Sequence, residues 1–169
     1  MAAFTRAEAA RLFAQGGIGL NRAEIERVHA LRSASAWIDE QLALPRSPGN
    51  VAWFRDQGRL AADIGRAGLD YTVWRNFASS PDQLRQRMVF ALSQILVVSI
   101  EGIGGSWAGW GVAYYLDLLD QHAFGNFRAL LDDVTLSPAM GIDLSHQPGH
   151  LGARHRQRAC PEFCVRGIA

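Results

Sequence analysis

Helix start signals recur along this chain, and they constrain its fold more than any other feature. Thr5 and Glu8 form a capping box, in which the threonine hydroxyl accepts a hydrogen bond from the Glu8 amide and the glutamate reaches back. The segment Ser80-Pro81-Asp82-Gln83 predicts another helix start, with Ser80 as the N-cap. Asn126 is suited to cap a helix that begins at Phe127. Because apolar residues follow at helical spacing, the sequence predicts an all-α, irregular multi-helix domain of about six to eight helices.

The central part of the chain carries the most apolar of these helices. We expect one or two helices within residues 51–79, and a longer helix that runs from the Ser80 start through Val98. The second half of that helix is apolar nearly all round, which is typical of a helix in the middle of a domain. A buried strand over Ile95 to Ile100 is the alternative, because β-branched residues are frequent there.

Composition limits the classes of function. The 169 residues suffice for one domain, and a net charge of +1 provides no basic field for nucleic acid. No apolar run approaches the ~20 residues that a transmembrane helix requires. The N-terminus lacks an apolar signal core, so the chain as written is expected to be cytoplasmic. All 17 basic residues are arginine, which is typical of a bacterial high-GC genome and lowers the functional weight of any single arginine.

The sequence changes character after about residue 145. Apolar periodicity stops, and arginines alternate with other residues in a manner typical of GC-rich DNA read out of frame. We therefore divide the chain into a helical domain, residues 1–145, and a disordered or non-native tail, residues 146–169. The alternative is a metal site in this tail, whose weak candidate ligands are His146, His150, His155, Cys160 and Cys164.

No catalytic constellation and no cofactor motif is evident in the helical part. Asp132 and Asp133, with Asp117 and Asp120 nearby, could form paired carboxylates for acid–base chemistry or metal binding. The simpler interpretation places these acids on the exposed faces of two amphipathic helices. Adjacent residues such as Asp132 and Asp133 diverge by about 100° around a helix, so they do not share a face.

An aromatic cluster is the candidate binding surface. Trp107, Trp110 and Tyr114 lie close in sequence and could stack against a sugar or a protein partner, although core packing is the usual role of such residues. We expect the two tryptophans to be partly exposed because glycines flank them. Arg85 is added to this predicted surface as a possible clamp for an anionic group, with pairing to a neighbouring acid as the alternative.

Three stretches in order carry a family resemblance. The first stretch, residues 9–42, contains Ala-Ala-Arg-Leu-Phe-Ala-Gln, Asn-Arg-Ala-Glu-Ile and Trp-Ile-Asp-Glu-Gln-Leu. Together with residues 83–95 (from Gln-Leu-Arg-Gln to Ser-Gln-Ile) and 114–141 (from Tyr-Tyr to Pro-Ala-Met-Gly), it resembles the N-terminal part of the bacterial domain-of-unknown-function 1800 family. The resemblance covers roughly residues 7–145. It implies a longer helical protein, in many members exported or envelope-associated, with no established activity. Relatives continue with Pro-Asp-Glu-Asn and Ala-Arg-Glu, whereas this chain has Pro161 to Arg166, which predicts a frameshift near residues 143–147 and a truncated product.

Three functional hypotheses remain open from the sequence. The first is a structural or interaction domain whose partner is another protein or the missing C-terminal half. The second is a fragment of a hydrolase-like or metal-dependent enzyme whose site lies in that missing continuation. The third is an open reading frame without a functional product.

Overall fold

The computed structural model describes residues 4–19, 21–59, 66–104 and 107–145, and within these ranges all regular secondary structure is α-helical. The predicted all-α class is confirmed, but the described residues form ten helices instead of six to eight. The helices are α1 Arg6–Gly16, α2 Arg22–Ala30, α3 Ala34–Ala43, α4 Asn50–Asp56, α5 Arg66–Ser79, α6 Gln83–Ile95, α7 Ile100–Ile103, α8 Ala108–His122, α9 Phe127–Leu136 and α10 Pro138–Ser145.

Helix starts that depend on local contacts are confirmed. The Glu8 amide donates to Thr5 Oγ1 over 3.2 Å, and the Thr5 amide donates to the Glu8 carboxylate over 2.7 Å. The Asn126 side chain accepts from the Arg128 amide at 2.8 Å. These contacts satisfy amide groups that have no partner within the first turn of a helix.

The start of α6 differs from the prediction. The helix begins at Gln83, and the N-cap position belongs to Asp82, whose carboxylate makes no capping bond. That carboxylate instead accepts hydrogen bonds from the Ser47 amide at 3.1 Å and the Ser47 hydroxyl at 2.6 Å. A contact to a residue 35 positions earlier therefore replaces the local cap.

The end of α6 differs as well. The helix stops at Ile95 instead of Val98, and no strand replaces the predicted last turn. The Tyr115 hydroxyl donates to the Leu96 carbonyl at 2.8 Å, and Ser99 caps the new helix α7 by accepting from the Gly102 amide at 2.8 Å. These two contacts hold residues 96–99 outside a helical conformation.

The main core is built around α8. This helix packs against α4, α5, α6, α7, α9 and α10, and it buries Val112, Ala113, Tyr115 and Leu119. A second, smaller core lies between α1, α2 and α3, where the rings of Phe13 and Trp37 meet edge to face with centroids 6.0 Å apart. Burial of such aromatic side chains contributes much of the stabilisation of a small core.

Two buried glutamines connect the small core to the main one. Gln83 Oε1 accepts from the amides of Ile18 at 2.9 Å and Gly19 at 2.7 Å. Gln41 accepts from the Leu84 amide at 3.1 Å and donates to the Pro81 carbonyl at 3.2 Å. Each side chain uses both its donor and its acceptor, as buried amides require.

Replacement of Trp37 by alanine tests the small core. Trp37 is fully buried against Phe13, so Trp37→Ala should lower the free energy of unfolding by about 3–5 kcal/mol. Trp74 is 63% exposed and provides the matched control, for which Trp74→Ala should cost less than about 1 kcal/mol. Urea denaturation followed by circular dichroism measures both. Equal losses from the two variants would contradict this account of the core.

Candidate functional site

Three carboxylates lie beneath the loop that joins α3 to α4, and we refer to Asp82, Asp117 and Asp120 as the carboxylate cluster. Asp117 projects from α8 to the first turn of α4. It accepts from the Asn50 amide at 2.7 Å, the Val51 amide at 2.9 Å and the Asn50 side-chain nitrogen at 2.9 Å. A carboxylate at a helix N-terminus both satisfies free amides and interacts favourably with the helix dipole.

Gly49 permits this close approach. A Cβ atom at Gly49 would lie 2.6 Å from Asp117 Oδ2, well inside the distance at which the two atoms would clash. Only glycine therefore lets the chain enter α4 directly over the carboxylate.

Two arginines neutralise the remainder of the carboxylate cluster. Arg46 Nε donates to Asp120 Oδ2 at 2.7 Å. Arg85, whose side chain is mostly buried, lies 3.7 Å from Asp82 and donates to the Asp120 carbonyl at 3.0 Å. Buried carboxylates with such partners are compensated for much of the hydration that they lose.

Burial nevertheless raises the pKa of two of these acids. Loss of hydration raises the pKa of Asp117, and the hydrogen bonds from Val51 and Asn50 oppose the shift. Loss of hydration also raises the pKa of Asp120, against the opposing effect of the Arg46 guanidinium. In both residues desolvation is the larger effect.

The exposed-face interpretation of the acids is wrong for two of the four. Asp120 is buried and Asp117 is partly buried, because both point towards the loop and α4. Asp132 and Asp133 are exposed on α9, as that interpretation predicted. The sequence gives no signal that separates the two pairs, since the groups that donate hydrogen bonds to the Asp117 and Asp120 carboxylates lie more than 60 residues away.

A polar cleft of about 320 Å³ opens between α8, α9 and the loop. We refer to it as the α8–α9 cleft. Its walls are formed by Arg46, Tyr114, Asp117, Leu118, Gln121, Asp133, Leu136 and Ser137. His122 Nε2 lies 2.7 Å from Asp133 Oδ2, so one carboxylate oxygen on this wall already has a partner.

The predicted binding residues are distributed along α8. Trp107 and Trp110 are partly exposed, as expected, and Trp110 stacks on Phe54 with centroids 5.9 Å apart. Tyr114 lines the α8–α9 cleft. Arg85 lies at the opposite end of α8, with its guanidinium 4.7 Å from the Phe124 ring, roughly 20 Å along the helix from Trp107.

The sequence interpretation missed a second aromatic surface on α5. Tyr71 and Trp74 are 61% and 63% exposed, and Trp53 lies 5.3 Å from Tyr71 between ring centroids. Their i, i+3 spacing on one helix was a signal that could have revealed this surface. We define the aromatic face as Trp53, Tyr71, Trp74 and Phe90, together with the adjacent Arg75 and Arg87.

Neither a metal cluster nor a membrane-spanning helix is present in the described parts of the chain. No group of three or more histidine, cysteine or acidic side chains is arranged to hold a metal ion among these residues. The weak candidate ligands His146, His150, His155, Cys160 and Cys164 lie outside the described residues. None of the helices listed above is long and apolar enough to cross a bilayer.

The fold and its polar contacts define an all-helical domain in which buried carboxylates fix a loop. The family model described as "Protein of unknown function (DUF1800)" matches residues 11–150, and the chain belongs to that family. No curated protein and no solved structure showed a significant match to the chain.

Removal of the Asp117 carboxylate tests its structural role. Asp117→Ala leaves the amides of Asn50 and Val51 without an acceptor and should lower the free energy of unfolding by about 2–5 kcal/mol. Asp132→Ala removes an exposed acid from α9 and should change the free energy of unfolding by less than about 0.5 kcal/mol. Chemical denaturation of both variants at neutral pH is the measurement. A small loss for Asp117→Ala would contradict the anchoring role.

The raised pKa of Asp120 predicts the sign of a pH effect. A carboxyl group whose pKa is higher in the folded state binds more protons there, so its contribution to stability falls as pH rises. That contribution is complete below the unfolded pKa near 4 and is lost as pH rises through the raised native value. Asp120→Asn should therefore flatten the decline in stability over this range.

Thermal unfolding at several pH values measures this slope. Asp132→Asn is the control and should retain the wild-type slope, because Asp132 is exposed on α9. An Asp120→Asn variant with the wild-type slope would show that the acid does not titrate differently on folding.

Proposed function

We propose that this chain is a non-catalytic interaction domain that binds a segment of another polypeptide through the aromatic face. The observation that carries the proposal is the exposure of Tyr71 and Trp74 on one side of α5. Large aromatic side chains that are mostly exposed and one helical turn apart are typical of protein interaction sites, and tyrosine and tryptophan are enriched among the residues that dominate binding energy.

The charges around the aromatic face indicate the chemistry of the partner. The Arg75 guanidinium lies 5.5 Å from the Trp53 ring, and that of Arg87 lies 5.9 Å from the Phe90 ring. Asp70 lies one helical turn from Trp74. Arg75, Arg87 and Asp70 together carry a net positive charge. A segment with apolar side chains and a few acidic ones would complement this surface.

The interaction hypothesis is supported over an enzyme by the state of the polar groups. Five of the six carboxylate oxygens in the carboxylate cluster accept hydrogen bonds from the loop or from α4, and the sixth, Asp120 Oδ1, is buried. A general acid or base must be within hydrogen-bond reach of a substrate proton, whereas these oxygens are hydrogen-bonded within the fold or buried. The aromatic face, by contrast, has rings directed at solvent.

Site-specific photo-crosslinking tests the proposal. The residue p-benzoylphenylalanine replaces Trp74 in one variant and Phe127, an exposed aromatic on α9, in the control variant. In cells that express the variant, position 74 should give one discrete protein adduct. Mass spectrometry identifies the crosslinked segment of the partner, which should contain apolar and acidic residues. Adding Arg87→Glu should reduce its yield several-fold because the charge complementarity is lost.

Several outcomes would contradict the proposal. These are no adduct at position 74, the same adducts from position 127, or a yield that Arg87→Glu does not change. An aromatic surface with two arginines could also meet an anionic membrane. If phosphatidylglycerol vesicles bind the wild-type chain but not the Trp74→Ala variant, the partner of the aromatic face is a lipid surface. That result would contradict the proposal of a protein partner.

A further inference from the structure

The α8–α9 cleft has the size of a small-ligand site. Its volume of about 320 Å³ lies at the lower end of the range for such sites, and it has both polar and apolar walls. It is formed by residues of α8, α9 and the α3–α4 loop, whereas the aromatic face is formed by α4, α5 and α6. An inference about the cleft therefore does not rest on the proposed function.

Ser137 provides a polar group that lacks a partner. The residue is only 2% exposed, it lines the cleft, and its hydroxyl oxygen makes no hydrogen bond with the described residues. A buried hydroxyl without a partner is unfavourable, and most such groups are satisfied by protein, water or ligand. A ligand in the cleft would supply the missing contact.

The fixed charges of the walls favour a cation. The charge of Arg46 is matched by Asp120 at 2.7 Å, and its Nη2 donates to the Asp117 carbonyl at 3.3 Å. Asp133 remains on the opposite wall, half exposed, and only one of its oxygens has His122 as a partner. A carboxylate has about four acceptor positions, so Asp133 can accept further hydrogen bonds.

The remaining walls suit an aliphatic stem. Leu118 and Leu136 provide apolar surface beside the acid, and Tyr114 adds an aromatic ring. A long basic side chain or a related amine buries its methylene groups on such surfaces while its charged end meets a carboxylate.

We propose that the α8–α9 cleft binds an organic cation, namely a primary amine or guanidinium on a short aliphatic stem. The cationic group donates to Asp133 and to the Ser137 hydroxyl oxygen, and the stem lies against Leu118 and Leu136. Two sources share this chemistry: a free diamine-like metabolite, and the lysine or arginine side chain of a polypeptide.

Titration with agmatine, which carries both groups, tests the site. Two-dimensional amide NMR should show saturable shifts at α8 and α9 residues around the cleft. Asp133→Asn should weaken binding roughly tenfold or more, because a hydrogen bond to a charged group is lost. Ser137→Ala should weaken it by a smaller factor, since the lost contact involves a neutral acceptor.

Asp132→Asn is the matched control. It removes the same charge from the neighbouring exposed position, which does not line the cleft, so agmatine binding should stay within about twofold of wild type. Melting temperatures show whether Asp133→Asn is folded. Equal weakening by both variants would mean general charge screening and would overturn the site, as would tighter binding of acetate than of agmatine.

A blocked tripeptide with a central arginine distinguishes the two sources. If the peptide binds with a lower dissociation constant than agmatine, the ligand of the cleft is a polypeptide side chain. If agmatine binds with the lower dissociation constant, the ligand is a free amine. Failure of both probes to saturate at millimolar concentration overturns the proposal. None of these outcomes depends on position 74, so the aromatic face is tested separately.

Discussion

Asp117 connects the middle of α8 to the first turn of α4, and the polar interior is organised around this contact. The carboxylate accepts from Asn50 through both its backbone and its side-chain nitrogen. The side-chain oxygen of Asn50, Oδ1, accepts from the Thr72 hydroxyl at 3.2 Å and from the Asn76 side-chain nitrogen at 3.1 Å on α5. One carboxylate–amide pair thus joins three helices. Such a network adds rigidity when its members are satisfied, because each hydrogen bond is stronger in a medium of low dielectric constant.

The same network limits the chemistry that these acids can perform. Asp82 accepts hydrogen bonds from the amide and hydroxyl of Ser47, and Asp120 accepts one from Arg46. These contacts hold the loop over the core. The raised pKa of Asp117 and Asp120 follows from desolvation that the hydrogen bonds only partly offset. A raised pKa often marks an active site, but structural networks have the same signature. Here burial of the carboxylates within the network accounts for it.

The sequence predicted those features whose causes are local. The Thr5 capping box and the Asn126 cap lie within three residues of their partners, and both were found. Asp82 was assigned to the first turn of a helix, yet its partner Ser47 is 35 residues away. Periodicity also cannot show which polar residues are buried, so the internal contacts of Gln83 were not foreseen. Contacts between residues that are far apart in the sequence are therefore the part of the structure that the sequence did not predict.

The distribution of burial separates the interior from the aromatic face. Asp82 is wholly buried while Trp74 is mostly exposed, the reverse of the order that transfer from water favours. The burial of Asp82 is offset by donors from Ser47 and by the nearby Arg85 guanidinium. The exposure of Trp74 has no comparable offset: its ring contacts Phe77 edge to face, and its remaining surface meets solvent. Binding of a partner would remove that apolar surface from water, which is why the aromatic face, and not the carboxylate cluster, carries the proposed function.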